Sequence, residues 1–206
     1  TGGCLLKSIE ALDGKRCPEN PMSIRLLLAA ALCLCAVPIA QAVEYNRVNT
    51  TASQISFTYN QMGSRMYGTF GKFEATLSFD SDNIANARTT LHIDLTSIDA
   101  GSEDANTELV KPAWFDTEKF PVAVFESSHF TQVAENRYLI AGQLTLKGIT
   151  RDVQVPVELK PENAIGIFDG ELLLKRDEFG LGAGEWADTV VSKDIAIKIK
   201  VVAPQQ

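Results

Sequence analysis

"GTFGKFEATLSFD", residues 68–80, alternates strictly once past its second glycine. Phe73, Ala75, Leu77 and Phe79 fall on one side; Lys72, Glu74, Thr76 and Ser78 fall on the other. A helix returns to the same face every three or four residues, so a period of two predicts a strand with one dry and one wet face. Gly68 and Gly71 stand at its start. Glycine inside a strand-like run marks a bulge, a bend or a close approach, and closing a sheet into a barrel needs such bends.

The same period recurs on both sides of this stretch. "QISFTYN" (54–60) sets Ile55, Phe57 and Tyr59 against Ser56 and Thr58, and "RTTLHIDLTSI" (88–98) sets Leu91, Ile93 and Leu95 against His92, Asp94 and Thr96. "RDVQVPVELK" (151–160) and "KDIAIKIKVV" (193–202) repeat it, with weaker runs at 121–130, 137–147 and 164–176. Turn-forming clusters separate the runs: "DSDN" (80–83), "AENR" (134–137), "KGIT" (147–150) and "KPEN" (160–163). Pro156 donates no ladder hydrogen bond, so its strand meets an edge or a bulge there. One helix is expected over 102–110, with Ser102 as N-cap, acids in its first turn and Pro112 beyond its end. The reading is all-β: about eight antiparallel strands in a meander closed on itself, interrupted by a short helix and an aromatic segment.

Composition narrows the function. Of 206 residues, 45% are hydrophobic and 22% charged, which are globular values. A pI near 4.9 lacks the basic footprint of a nucleic-acid binder and disfavours an anionic lipid surface. Residues 22–42, "MSIRLLLAAALCLCAVPIAQA", join Arg25 to an apolar run and an Ala40-Gln41-Ala42 motif, which reads as a secretory signal peptide cleaved after Ala42. The run of about 12 residues is short of the roughly 20 that span a bilayer. Residues 1–21 precede this signal and are expected to be an over-extension upstream of a start at Met22. Cys4, Cys17, Cys33 and Cys35 all lie before the expected cleavage site. The chain from 43 to 206 is then one cysteine-free domain with 15 Lys and Arg against 23 Asp and Glu, net −8. Thiol catalysis and cysteine-held zinc fall away with the cysteines.

"PAWFDTEKFP" (112–121) fits no period yet carries Trp114, Phe115 and Phe120. Such aromatics either plug a core or line a cavity, and a barrel of about eight strands has room for its own side chains or for one small ligand. Periodicity alone leaves both open.

The mature sequence resembles the YceI-like family of lipid-binding, lipocalin-like bacterial proteins over nearly all of 43–203. The phrases that carry the resemblance are Phe115-Asp116…Phe120-Pro121…Phe125…Ser127, then "GQLTLKGIT" (142–150), then Arg176 to Gly180 in "RDEFG". It implies an extended eight-stranded antiparallel lipocalin-like barrel whose tunnel binds a polyisoprenoid chain or isoprenoid quinone, in the periplasm, with no cofactor. Under it, the tunnel and rim candidates are Phe57, Phe73, Leu91, Ile93, Trp114, Phe115, Phe120, Phe125, Leu144, Phe168, Phe179 and Trp186. Phe120 and Phe125 are expected to face the tunnel, with Trp114 or Phe115 at its rim. Arg176 is read as a surface partner of Asp177 or Glu178, or as a contact for a lipid head group.

Other chemistry is thinly supported. His92 and Asp94 share a strand face but suggest no third metal ligand, so an exposed pair is expected. His129 follows Ser127 and Ser128 without a nucleophile elbow. "GLGAGEW" (180–186) precedes a strand rather than a helix, so it reads as a loop anchored by Trp186 and not as a phosphate cradle. The expectation is a non-enzymatic periplasmic lipid carrier with no stable membrane span, its edge at Pro156 or its apolar mouth offering a homodimer contact. The alternatives are an enzyme modifying a prenyl lipid, and a stress-related interaction protein with an incidental cavity.

Overall fold

The computed structural model describes residues 43–183 and 190–206. The alternating runs become β1 (Glu44–Tyr45), β2 (Gln54–Gln61), β3 (Ser64–Phe70), β4 (Phe73–Asp80), β5 (Arg88–Asp94), β6 (Ile98–Asp99), β7 (Val122–Ala134), β8 (Arg137–Leu146), β9 (Ile149–Glu162), β10 (Ile165–Lys175) and β11 (Asp194–Pro204). They make one curled sheet in the order β1-β4-β5-β7-β8-β9-β10-β11-β2-β3-β6. Every pairing is antiparallel.

Eleven strands stand where eight were expected; two local bends and the short β1 account for the difference. β3 runs into β4 through Gly71 and Lys72; across the bend Gly71 N–H donates to Ser97 O and Asp94 N–H to Lys72 O, both at 3.0 Å. A 3-10 turn at Leu95–Ser97 divides β5 from β6 in the same way. Counting each bent pair once and setting aside the two-residue β1 reduces the eleven described strands to eight. β11 pairs with β2, Ile199 opposite Ile55, and so brings the last long strand of the meander to the first. β1 ties one end: Tyr45 lies opposite Phe79 and also bridges Gln205.

Pro156 stands where β9 leaves β10. That ladder stops at Val157 opposite Gly170, whereas β9 stays paired with β8 down to Ile149. Leu159 N–H donates across β8's end to Asn136 O, so by alternation position 156 faces β10, where no donor is needed.

α1 (Glu103–Leu109) forms as its caps require. The Ser102 hydroxyl accepts from Ala105 N–H at 3.2 Å, and Glu103 and Asp104 occupy the positive first turn.

Two apolar clusters fill the ends of the interior. One gathers Tyr45, Phe79, Phe130, Tyr138 and Phe168. Its rings meet edge to face, Phe79 with Tyr138 at 5.1 Å and Tyr45 with Phe168 at 5.4 Å. The other gathers Phe57, Leu95, Ile98, Trp114, Phe115, Phe179 and Leu181. No helix among the described residues is long and apolar enough to cross a membrane.

Candidate functional site

Between the clusters the inward faces of the strands leave a cavity of about 560 Å³. Its wall is almost wholly hydrocarbon: Leu77 from β4, Leu91 and Ile93 from β5, Leu144 from β8, Leu172 and Leu174 from β10, Ile195, Ile197 and Ile199 from β11. Four of its solvent-reaching polar lining residues, Gln61, Ser102, Asp104 and Glu108, gather at the end of β2 and along α1 and mark the opening there; Thr89 on β5 is a further half-buried polar residue of the wall.

Strand parity explains the inner wall, and close approach shapes it. A Cβ on Gly142 would come within 2.7 Å of the Phe125 ring and 2.4 Å of Glu126 O, so only glycine lets that ring lie flat across β8. At Gly68 the added carbon would meet the Phe57 ring at 2.2 Å.

The aromatic segment after α1 is a compact knot of turns. Phe115 N–H donates to Leu109 O, Thr117 N–H to Val110 O and Phe120 N–H to Asp116 O. Asp116, at φ +51°, turns the chain. Trp114 and Phe115 are thereby swung inward and buried, 6% and 8% exposed, as cavity wall rather than exposed rim. Lys147 clamps the knot from outside, its Nζ donating to Pro112 O at 2.8 Å and Gly180 O at 2.9 Å. Burial lowers the Lys147 pKa, Asp116 opposing that shift and Lys119 adding to it.

Of the residues singled out from sequence, Phe57, Leu91, Ile93, Trp114, Phe115, Phe125, Leu144, Phe168 and Arg176 line the cavity together. Phe120 stands elsewhere, its ring against Gly148 at the tip of the β8–β9 hairpin. Phe73 is half-buried just past the Gly71 bend, and Phe179 packs within the second cluster at 2% exposure. Trp186 lies outside the described residues, as do the signal-like stretch 22–42 and residues 1–21.

Arg176 is neither a surface residue nor free to meet a head group. It is 2% exposed. Its Nε donates to Ser192 O (3.1 Å), Nη1 to Leu181 O (2.8 Å) and Gly182 O (3.2 Å), and Nη2 to Val191 O (3.1 Å). The guanidinium carbon also sits 5.6 Å from the Trp114 ring centroid. The fork therefore stitches together the two chain segments that flank 184–189, and Glu178 pairs instead with Lys175.

Tyr59, Phe70, Leu95 and Ile98 also line the cavity and were not singled out. Tyr59 and Leu95 were already on the apolar side of their runs; Phe70 and Ile98 lie beside the two bends, where period two lapses. The Tyr59 hydroxyl donates to Ala100 O at 3.2 Å, fixing the loop into α1. His92 is exposed, while Asp94 accepts from Thr96 N–H and Oγ1, capping the 3-10 turn. No group of three or more His, Cys, Asp or Glu is placed to hold a metal among the described residues.

A curled antiparallel sheet around an open hydrocarbon cavity defines a small-ligand barrel of lipocalin type. A profile of the YceI-like domain matches residues 47–203, and the chain belongs to that family. It is 34% identical over 109 residues to a UPF0312 protein of Photorhabdus laumondii, covering 52% of this chain and 56% of that one. To the protein YceI of Escherichia coli it is 31% identical over 106 residues, 51% of this chain and 55% of that one. The chain thus spans little more than half the length of these relatives. Among solved structures, BcnA of Burkholderia cenocepacia superposes with a TM-score of 0.74 at 35% identity, covering 76% of this chain and 99% of that one. A polyisoprenoid-binding domain from Saccharophagus degradans shares the fold, with a TM-score of 0.60 at 17% identity over 79% and 98% of the two chains.

Proposed function

We propose that this protein binds and carries, or sequesters, one polyisoprenoid lipid such as an isoprenoid quinone, in the periplasm and without chemical conversion. The observation that carries the reading is the state of β11's inner face. Ile197 and Ile199 line the cavity with a paired strand on either side, Leu172 and Gly170 on β10, Phe57 and Ile55 on β2. Side chains so flanked would be buried in a packed plug, yet both are only half-buried. They face apolar volume that the protein does not fill. The cavity's 560 Å³ lies within the roughly 300–1,000 Å³ of ligand pockets and suits a single chain.

Burial supplies the affinity. Each CH₂ taken from water contributes about 0.8 kcal/mol, so several isoprene units bind without directed polar contacts, and chain length is read loosely. The polar end rests at the opening, where Gln61 and Ser102 offer hydrogen bonds. The polyisoprenoid-binding domain of the same fold supports this ligand class. The Arg25-led apolar run with its Ala40-Gln41-Ala42 motif, and a cysteine-free 43–206, support export.

Organic extraction of the purified protein followed by mass spectrometry tests the reading. A stoichiometric prenyl lipid is the expected result. A modified prenyl product accumulating on incubation would point to an enzyme. An empty barrel that also refuses added prenyl alcohol would end the carrier reading.

A further inference from the structure

The turn between β2 and β3 breaks a local rule at the mouth of the cavity. Met62 and Gly63 form a two-residue hairpin loop between Gln61 and Ser64, and both have positive φ, +49° and +82°. That is the type I′ geometry, which favours Asn or Asp at its first position because a larger side chain is strained there. The three other two-residue hairpin tips among the described residues comply or compensate. Asn136 and Asn163 take the positive φ in two of them, at +55° each. In the third, Lys147 takes it and its Nζ bonds two carbonyls. Met62 does neither: it is a large thioether side chain left 78% exposed. The chain bears both the strain and the exposure at one site.

That site adjoins the opening. Gln61, beside Met62, lines the cavity, and Met62 N–H donates to Val190 O, which holds the hairpin tip beside Val191, another lining residue. A lipid leaving a bilayer for the cavity would pass this tip. The polar side of the opening carries Asp104 and Glu108. With a net charge of −8 over 43–206, these carboxylates oppose approach to an anionic surface and leave a zwitterionic one accessible.

We infer that the Met62 tip inserts into a zwitterionic lipid surface and seats the cavity mouth against it, so that the lipid transfers by contact and not through water. An unbranched, adaptable thioether suits the irregular boundary of head groups and chains. The inference rests on the carrier reading above and adds to it a route of loading.

The test measures uptake of dansyl-labelled geranylgeraniol by the full chain, once from phosphatidylcholine vesicles and once from ethanol, with Met62→Asn and Met62→Leu beside the wild type. Asparagine suits the turn and removes the apolar tip; leucine keeps the tip. The expected result for Met62→Asn is uptake from vesicles slowed about tenfold, as the loss of a methionine-sized apolar contact predicts. Its affinity for ethanol-delivered probe is unchanged, and its melting temperature rises by about 2–4 °C. Met62→Leu should load from vesicles at the wild-type rate. Equal vesicle uptake by all three proteins overturns the inference while leaving the carrier reading intact. Failure of the wild type to bind ethanol-delivered probe overturns both.

Discussion

Phe125 shows how one side chain separates a hollow barrel from a solid one. Its ring crosses Gly142, lines the cavity and remains half-buried. A fully buried Phe cut to Ala typically costs about 3–5 kcal/mol. Because this ring already borders open space, Phe125→Ala should cost less than that in urea melts while weakening prenyl alcohol binding about tenfold. Equal and full loss of both stability and binding would mean that the residue is ordinary core. Its inward direction was expected from the family resemblance and not from alternation, because Val122 and Val124 make the opposite face of its strand apolar as well. The role of Arg176 was not legible: nothing in "LLLKRDEFG" announces that four backbone carbonyls from residues 181–192 converge on its guanidinium. Those acceptors come from chain that lies up to 16 residues away, and only the returning fold supplies them.

At the scale of elements, α1 is the clearest case of local sequence deciding local structure. Ser102, the acids behind it and Pro112 bounded the helix, and Glu103–Leu109 forms inside those limits. Removing the cap hydroxyl in Ser102→Ala should cost about 1 kcal/mol by thermal melting. It should also raise amide exchange in Ala105, whose N–H loses its acceptor, more than in β9. An unchanged exchange pattern would show that the helix is held from elsewhere, for instance by the Asn106 side chain, which accepts from Ala100 N–H at 2.7 Å. Strand division was harder to read than strand identity. Period two places Phe73, Ala75 and Leu77 on one face but does not say that Gly71 bends the strand or that Leu95–Ser97 tightens into a 3-10 turn. Both breaks answer the curvature of a closed sheet, which is a property of neighbours and not of the segment itself.

For the whole molecule, the buried phenols set an alkaline limit. Burial raises the pKa of Tyr45, Tyr59 and Tyr138 above the ordinary 10.0, with Tyr45 adding to the shift at Tyr138. Above pH 10.0 the unfolded chain gives up these protons before the folded one does, so their stabilisation is present below that value and is lost as pH rises through the raised pKa values. Lys160, raised chiefly by its hydrogen bond to Asp169, acts in the same direction from 10.5 upward. Lys147 acts oppositely. Its lowered pKa means that the folded chain releases that proton first, so stability rises with pH between the lowered value and 10.5. With three phenols and Lys160 against Lys147, melting temperatures followed from about pH 8 to about pH 11 should fall once pH passes the ordinary tyrosine range. Tyrosinate absorbance should show a late-titrating population, and phenols that all titrate together at the ordinary value would contradict the burial argument.

Alternation, turn residues and caps are local, and they determined that this chain makes antiparallel strands, where most of them begin and end, which side chains turn inward and where its one short described helix lies. Whether those inward side chains meet one another or leave a void was decided by tertiary structure alone. Curvature and the registers of strands far apart in sequence set how far opposite walls stand from each other. That distance leaves Ile197 and Ile199 facing open space, puts Phe120 outside the wall, and turns Arg176 from a surface charge into an internal brace.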